Sequence, residues 1–262
     1  MNYTLNVHGR LLDLSRPLVM GILNATPDSF FADSRQQTEE DIAVCCRKMM
    51  AEGAAIIDVG GCSTRPGGEV ASEAEEMERL RMALTVVRRE QPEAVISVDT
   101  FRPDVARMTV EEFGADIIND VSGGTPEMFR MVTRLHVPYI LMSLQPTIRD
   151  MLLSFAEKVQ QLRDMGANDI ILDPGFGFGK TLEQNYRIMN ELEKLLVMEL
   201  PLLVGISRKS MIYRSFDCTP KEALNGTTAL NTIALMKGAS ILRVHDVKEA
   251  MECVSIVGKL NC

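Results

Sequence analysis

The stretch that decides the fold is Leu18-Val19-Met20-Gly21-Ile22-Leu23, an almost uninterrupted run of apolar residues that ends at the polar Asn24. A strand that is covered on both faces has this composition, whereas a strand with one solvated face alternates apolar and polar residues. Strands of the first kind belong to parallel sheets, in which crossover helices cover both faces. The run therefore predicts the first strand of a parallel α/β sheet.

Seven similar runs follow, at residues 55–59, 94–98, 116–118, 138–142, 169–172, 202–206 and 240–244. Segments with helical periodicity separate them. We expect Thr38 to cap the first helix, Ser72 to cap the second over 73–89, and Pro103 to lie in the first turn of the third. Later helices are expected at 127–135, 152–165, 182–196, 220–236 and 247–257. Eight strand–helix units in 262 residues favour a closed TIM (β/α)8 barrel over an open sheet.

Residues 3–14 precede the first unit, and we expect a short hairpin-like extension there that closes the bottom of the barrel. No linker-like or low-complexity stretch divides the chain. We therefore expect residues 1–262 to form a single domain, with the barrel proper at about 18–260.

Composition narrows the classes of function. The net charge of -8 argues against a nucleic-acid partner or an anionic membrane surface, and no apolar run is long enough to span a bilayer. The first ten residues lack the features of a signal peptide, and none of the six cysteines forms a Cys-x-x-Cys pair. These features predict a cytoplasmic protein with reduced thiols.

Polar side chains gather at the ends of the apolar runs. They are Asn24, Asp58, Asp99, Asn119, Asp120, Asp173, the segment Ser207-Arg208-Lys209, Arg243 and His245. In a parallel barrel these ends lie on one rim, where active sites are built. A single polar residue after a strand is often only a turn former or a helix cap, but that explanation is poor for a whole ring.

The ring has two chemical sides. Asp99, Asn119 and Asp173 suit the edge of a flat, amide-rich heterocycle, because carboxylates and carboxamides pair with its donors and acceptors. Lys209, Arg243 and His245 supply cationic donors for a phosphate group. A Ser207–His245–Asp99 triad is an alternative, although the chain has no Gly-x-Ser-x-Gly elbow to support it.

Two glycine-rich stretches accompany the ring. Residues 175–181, Gly-Phe-Gly-Phe-Gly-Lys-Thr, are one residue short of a phosphate loop, so we interpret them as a tight loop beside a flat ligand. Residues 60–68 carry Thr64 and Arg65 before a helix, which suits a closing loop that contacts an anion, although an ordinary surface loop is the alternative.

Six segments, in this order, resemble the signatures of one family: 20–30, 57–67, 98–100, 173–180, 207–210 and 243–247. The chain is similar over Met20 to Val247 to the dihydropteroate synthases, pterin-binding TIM-barrel enzymes. The resemblance implies a transferase of folate biosynthesis that condenses (7,8-dihydropterin-6-yl)methyl diphosphate with p-aminobenzoate, giving 7,8-dihydropteroate and pyrophosphate. It also implies a homodimer and a Mg²⁺ ion.

The resemblance assigns roles to individual residues. The pterin would be held by Asp99, Asn119, Asp173 and Lys209, with Arg243 packed along its ring. The diphosphate would be held by Thr64, Arg243 and His245, and its Mg²⁺ by Asn24. The p-aminobenzoate pocket, where sulfonamides compete in this family, would be formed by Phe30, Thr64, Pro66, Phe178, Lys209 and Ser210. The catalytic set would be Lys209, Arg243, His245, Arg65 and Asp33.

The chain departs from the family pattern in three loops. Phe31-Ala32-Asp33-Ser34 replaces Ser-Asp-Gly-Gly, so either Asp28 or Asp33 fills the loop aspartate role. Cys62 stands where the family often has glutamate, and residues 142–146 replace Met-His-Met-Gln-Gly. Two alternatives stay open, a methyltetrahydrofolate–corrinoid methyltransferase with a related barrel and a pterin-binding protein without catalysis.

Overall fold

A computed structural model describes residues 3–25, 35–62 and 70–260 of the chain. A hairpin of β1 (Thr4–Val7) and β2 (Arg10–Asp13) comes first. The barrel strands are β3 (Leu18–Asn24), β4 (Ile56–Gly60), β5 (Val95–Asp99), β6 (Ile117–Asp120), β7 (Tyr139–Met142), β8 (Ile170–Asp173), β9 (Leu203–Val204) and β10 (Ile241–Val244). The helices are α1 (Arg35–Ala51), α2 (Glu73–Glu90), α3 (Pro103–Phe113), α4 (Pro126–Leu135), α5 (Ile148–Asp164), α6 (Leu182–Asn190), α7 (Ser210–Tyr213), α8 (Leu224–Met236) and α9 (Val247–Leu260). Two 3-10 helices lie at Leu192–Met198 and Pro220–Glu222.

The eight barrel strands form one parallel sheet in the order β8-β7-β6-β5-β4-β3-β10-β9. A parallel bridge between Leu172 on β8 and Leu202, just before β9, brings the two edges of this sheet together. Every strand therefore has a neighbour on both sides, and the expected (β/α)8 barrel is confirmed.

The expected N-terminal hairpin is confirmed as well. Leu5 and Val7 of β1 and the following Leu14 are buried against an apolar cluster inside the barrel. The backbone N–H of Asn6 donates to Asp169 Oδ1 at 3.0 Å, which fixes the hairpin to the turn before β8. The hairpin closes the end of the barrel where the strands begin.

The inner face of the barrel changes character from one end to the other. Near the hairpin the inward side chains are apolar: Met20, Ile56, Ile117, Ile140, Ile171, Leu203 and Ile241. Two residues further along five of the strands, the same face carries Asp58, Asn119, Met142, Asp173 and Arg243. Burial of the four polar groups among them is costly unless they find partners, so the carboxyl half of the barrel is built for polar chemistry.

Capping explains several helix starts. Ser72 forms a capping box with Glu75 at the start of α2, Pro103 lies in the first turn of α3, and Thr147 caps α5. The first helix is confirmed, but the prediction that Thr38 caps it is wrong, because α1 runs from Arg35 and Thr38 lies inside it. Because Thr147 supplies a cap, α5 begins four residues earlier than expected.

Two further boundaries differ from the expectation. The helices expected at 182–196 and 220–236 are each divided, because a 3-10 segment takes over at Leu192 and another precedes α8. Several strands also extend one residue further, so that Asn24, Asp99 and Asp173 are their last residues rather than the first loop residues. Within the described parts of the chain, no helix has the length and apolar character needed to cross a membrane.

Candidate active site

Asp58 lies at the centre of the polar layer. Its side chain is fully buried and accepts three hydrogen bonds: from Ser97 Oγ at 2.6 Å, from Asn119 Nδ2 at 3.2 Å and from Arg243 Nε at 2.6 Å. Arg243 also donates from Nη2 to Asp99 Oδ2 at 2.7 Å. One carboxylate therefore connects two of the residues expected to bind a ligand, and reaches a third, Asp99, through Arg243.

Asn119 points into the barrel with one half of its amide unused. Since the Asp58 carboxylate only accepts, the amide must turn its NH₂ group towards it. The opposite atom, Asn119 Oδ1, is buried and has no hydrogen-bond partner. A buried acceptor without a partner is costly, and this one suits an N–H donor of a bound molecule.

The charges in this layer perturb one another. Burial raises the pKa of Asp99 to about 7, in spite of the opposing attraction of Arg243, and the nearby Asp58 carboxylate raises it further. For Arg243, burial opposes the charge, but Asp58 and Asp99 hold its pKa above the ordinary value. Asp99 therefore changes its charge near neutral pH while the guanidinium keeps its own.

A second group of charges lies at the end of β8. Asp173 is 5% exposed, and burial raises its pKa, partly offset by Lys209. Burial lowers the pKa of Lys209 to about 8, against the attraction of Asp173. Asp173 Oδ1 accepts from Gly175 N at 2.7 Å, which ties the carboxylate to the start of the glycine-rich loop.

Lys180 holds the glycine-rich loop in shape. Its Nζ donates to the carbonyl oxygens of Ser143 and Gly175 at 2.9 Å and of Phe178 at 3.3 Å. Burial lowers its pKa to about 8, against the attraction of Asp173. The lysine of this phosphate-loop-like sequence is thus occupied by backbone carbonyls, which agrees with our interpretation of a tight loop.

Lys209 lies between the loop and the barrel axis. Its Nζ donates to Phe176 O at 2.5 Å and stands 4.6 Å from the centre of the Phe178 ring. Gly205 faces it, since a Cβ at that position would lie 3.9 Å from Lys209 Nζ and 3.7 Å from Arg243 Cβ. This part of the rim joins a cation to an aromatic face, and Ser210 begins α7 directly after it.

Ser207 and His245 meet at the end of the last two strands. Ser207 Oγ lies 3.1 Å from His245 Nδ1 and accepts from the His245 backbone N–H at 3.2 Å. Asp99 pairs with Arg243 rather than with the histidine, so the alternative of a Ser207–His245–Asp99 triad is wrong. Arg208 and Asp246, the residues that follow Ser207 and His245, form an ion pair in which Arg208 Nε donates to Asp246 Oδ2 at 2.9 Å.

Asn24 offers a single oxygen ligand at the end of β3. A Cβ on Gly60 would lie 3.7 Å from Asn24 Oδ1 and 3.6 Å from Asp99 Cβ, so the glycine leaves space between these two side chains. No group of three or more His, Cys, Asp or Glu side chains in the described ranges could hold a metal alone. A hard carboxamide oxygen fits Mg²⁺ that takes its other ligands from water and substrate phosphates.

Not every expected site residue can be placed. Phe30, Asp33 and its alternative Asp28 lie outside the described residues, as do Thr64, Arg65 and Pro66 of the second loop. Conversely, sequence reasoning put Asp58 on the rim without a specific role and assigned none to Ser97 or Lys180. The signal for Asp58 was available, because it interrupts the apolar run 55–59 at an inward position.

The arrangement defines a class of protein. It is a parallel-barrel enzyme whose carboxyl rim offers buried acceptors on one side and lysine, arginine and histidine on the other. Acceptors of this kind bind a flat heterocycle with N–H groups, and the cations stabilise an anionic leaving group.

Comparison with known proteins is consistent with this class. Residues 20–245 match the family described as pterin binding enzyme. The dihydropteroate synthase of Escherichia coli strain K12 is 40% identical over 265 residues, covering 95% of this chain and 93% of that protein. The Yersinia pestis enzyme with a sulfonamide drug superimposes with a TM-score of 0.89 at 36% identity, over 99% of both chains. The Xanthomonas albilineans enzyme with 4-aminobenzoic acid gives 0.92 at 32% identity, over 100% of this chain and 99% of that one.

The chain belongs to the dihydropteroate synthases, the transferases of folate biosynthesis that condense (7,8-dihydropterin-6-yl)methyl diphosphate with p-aminobenzoate.

Proposed function

We propose that the carboxyl rim described above carries out this condensation, with the pterin held in the barrel and the diphosphate directed towards the cationic side. The observation that supports this placement of the pterin is the buried Asn119 Oδ1, which has no hydrogen-bond partner. It lies in the same layer as Asp99 and Asp173, two carboxylates whose pKa is raised by burial. Such an acceptor needs a donor, and the edge of a pterin ring supplies N–H donors.

Three side chains would align the pterin. Asn119 Oδ1 accepts from one ring N–H, while Asp99 and Asp173 accept from others at the ends of β5 and β8. Lys209 donates to an acceptor of the ring, and its Nζ, 4.6 Å from the centre of the Phe178 ring, would lie between the pterin and the second substrate. Arg243, fixed by Asp58 and Asp99, packs along the ring.

The difficult step is the departure of pyrophosphate from the methylene carbon. Negative charge grows on the leaving oxygen, and preorganised cations stabilise it before the reaction starts. His245 and Arg243 would meet this charge, with Thr64 and Arg65 from the second loop. Mg²⁺ bound through Asn24 would supply further charge neutralisation on the leaving group when present.

The nucleophile needs little activation. The nitrogen of p-aminobenzoate is an aromatic amine that is uncharged at neutral pH, so it attacks the methylene carbon as the C–O bond to the diphosphate breaks. It then loses one proton. Phe178, Ser210 and the aliphatic part of Lys209 would form its pocket, together with Phe30 and Pro66. Asp28 or Asp33 would supply the remaining loop carboxylate.

Three broader assignments also stay proposals. We propose that residues 1–262 form a single domain, that the enzyme acts in the cytoplasm, and that it assembles as a homodimer. The homodimer rests on the family resemblance and is tested by light scattering of the purified chain.

The test of the proposed function measures pyrophosphate release from the purified chain with dihydropterin diphosphate, with and without p-aminobenzoate and Mg²⁺. We expect release that requires Mg²⁺, rises with p-aminobenzoate and yields dihydropteroate in equal amount. Tight pterin binding with no release, under conditions in which a control synthase turns over, would sink the proposal and favour a binding protein without catalysis.

A further inference from the structure

Asp58 is buried in the barrel, and its side chain is surrounded by hydrogen-bond donors of neighbouring strands. All its hydrogen bonds go to other side chains, and two of those, Asn119 and Arg243, are groups expected to contact the pterin. Its Oδ1 is occupied by Ser97 and its Oδ2 is shared by the other two donors. A carboxylate used in this way acts on a ligand only through its neighbours.

The first consequence concerns the direction of the Asn119 amide. The two ends of a carboxamide have almost the same shape, so sterics alone do not decide which end faces the ligand. Asp58 decides it, because an ionised carboxylate accepts and cannot donate. With Nδ2 held at 3.2 Å from Asp58, Oδ1 is left buried and without a partner.

The second consequence concerns the plane of Arg243. Its guanidinium is held at two points, at Nε by Asp58 and at Nη2 by Asp99. Two charge-assisted bonds to separate strands fix the orientation of a planar group better than one bond does. Asp58 therefore sets the position of the cation that lies along the pterin and faces its leaving group.

We propose that Asp58 is a positioning residue of the transferase site, which orients the Asn119 amide for the pterin and holds the plane of Arg243. The inference rests on the proposed function, since it concerns the recognition of the same pterin. A purely structural role is the competing explanation, in which Asp58 only neutralises a buried arginine.

The first test is Asp58→Leu. Asparagine would be too mild a change, because its carboxamide can turn its oxygen to Asn119 and Arg243 and its NH₂ to Ser97 Oγ. Leucine offers no acceptor, so nothing then fixes which end of the Asn119 amide faces the pterin. Binding of dihydropterin diphosphate should weaken by about 10- to 100-fold, measured by titration calorimetry.

The sharper test is a double-mutant cycle with Asn119→Ala. If Asp58 acts on the pterin through Asn119, D58L should cost less affinity in the N119A background than in the parent chain, and we expect the two losses to depart from additivity by about tenfold. A merely structural carboxylate gives losses that add, because its effect does not pass through the Asn119 amide.

Asp120→Asn is the matched control. Asp120 is the residue after Asn119 on β6, is equally buried, and accepts from Tyr139 OH and Ser122 N, each at 2.7 Å. Its side chain points to the other face of the strand, so D120N should lower the melting temperature and leave pterin affinity within about threefold.

The outcomes separate the possibilities. Pterin affinity of folded D58L within about threefold of the parent overturns the positioning role, as do additive losses in the cycle with N119A. If D58L does not fold, the cycle is run with Asp58→Ser, whose shorter side chain cannot reach Asn119, and additive losses again overturn the proposal. Failure of the parent chain itself to bind dihydropterin diphosphate overturns the proposed function and this inference together.

Discussion

Replacing Lys209 with methionine is expected to make the fold more stable at pH 7 while it removes most of the turnover. Lys209 has a pKa of about 8 against an ordinary 10.5, chiefly because burial disfavours the charge and despite the attraction of Asp173. At roughly 1.4 kcal/mol for each pH unit, keeping this ammonium charged costs the folded state about 3 kcal/mol. Methionine fills a similar space without that cost.

The loss of one hydrogen bond reduces the gain. Lys209 donates to Phe176 O, and a carbonyl left without its donor costs about 1 to 2 kcal/mol. We therefore expect K209M to gain about 1 to 2 kcal/mol in the free energy of unfolding. Turnover should fall roughly 10²- to 10³-fold, because a donor preorganised for the transition state is gone.

Lys180 provides a contrasting case with the same pKa of about 8. Its ammonium donates to three carbonyl oxygens, but Gly175 O also accepts from Phe178 N, so K180M leaves two backbone acceptors, those of Ser143 and Phe178, without a partner. Their loss, at about 1 to 2 kcal/mol each, offsets the charge term of about 3 kcal/mol, and we expect the stability of K180M to stay within about 1 kcal/mol of the parent.

Urea denaturation followed by circular dichroism at several pH values tests both expectations. For Lys209 the cost is complete below about pH 8 and disappears as the pH rises towards 10.5, since the folded state then loses the proton before the unfolded state does. The stability gap between K209M and the parent should close over that range. A K209M variant less stable than the parent at pH 7, or a K180M variant that gains more stability than K209M, would refute the reasoning.

Three further predictions concern pH, packing and the glycine-rich loop. The kcat/KM for the pterin substrate should rise near pH 7 as Asp99 loses its proton and fall above about pH 8 as Lys209 does so. In K209R the fall should move to higher pH; a fall that stays near 8 assigns it to another group. Leu5→Ala should cost about 2 to 5 kcal/mol of stability in denaturation experiments, with KM unchanged, because Leu5 packs at the far end of the barrel. Gly175→Ala should prevent normal pterin binding in calorimetry, since φ is +67° there and a Cβ would overlap the carbonyl oxygen of Ser143; affinity equal to that of the parent would contradict this steric argument.

The barrel could be predicted from the sequence because each strand is recognisable from the composition of its own short segment. A run such as Leu18–Leu23 needs no partner to be recognised, since burial on both faces fixes its composition. The position of the polar residues on one rim could be predicted by the same argument, because parallel strands all end on the same side of the barrel. Thr38 shows the limit at boundaries, since a residue suited to capping lies within α1.

Contacts between distant strands could not be predicted. Arg243 pairs with Asp99 across 144 residues and with Asp58 across 185, and neither spacing carries a signal of its own. Lys180 was interpreted only as part of a glycine-rich motif, because its acceptor Ser143 O belongs to another loop. Recognising the central role of Asp58 requires two pieces of information. One is the two-residue period of the side chains along β4, and the other is the register of the three strands that carry its partners, β5, β6 and β10.

The N-terminal hairpin has a consequence for the order of events during synthesis. Residues 4–13 leave the ribosome before any barrel strand, but Leu5 and Val7 pack on an apolar cluster that includes Ile241 of β10. The same strand β10 pairs with β3, the first strand of the barrel, although the two are more than 200 residues apart in the chain. Such distant pairings make folding slow, and a nascent chain must keep these leucine and valine side chains from other partners until its last strand arrives.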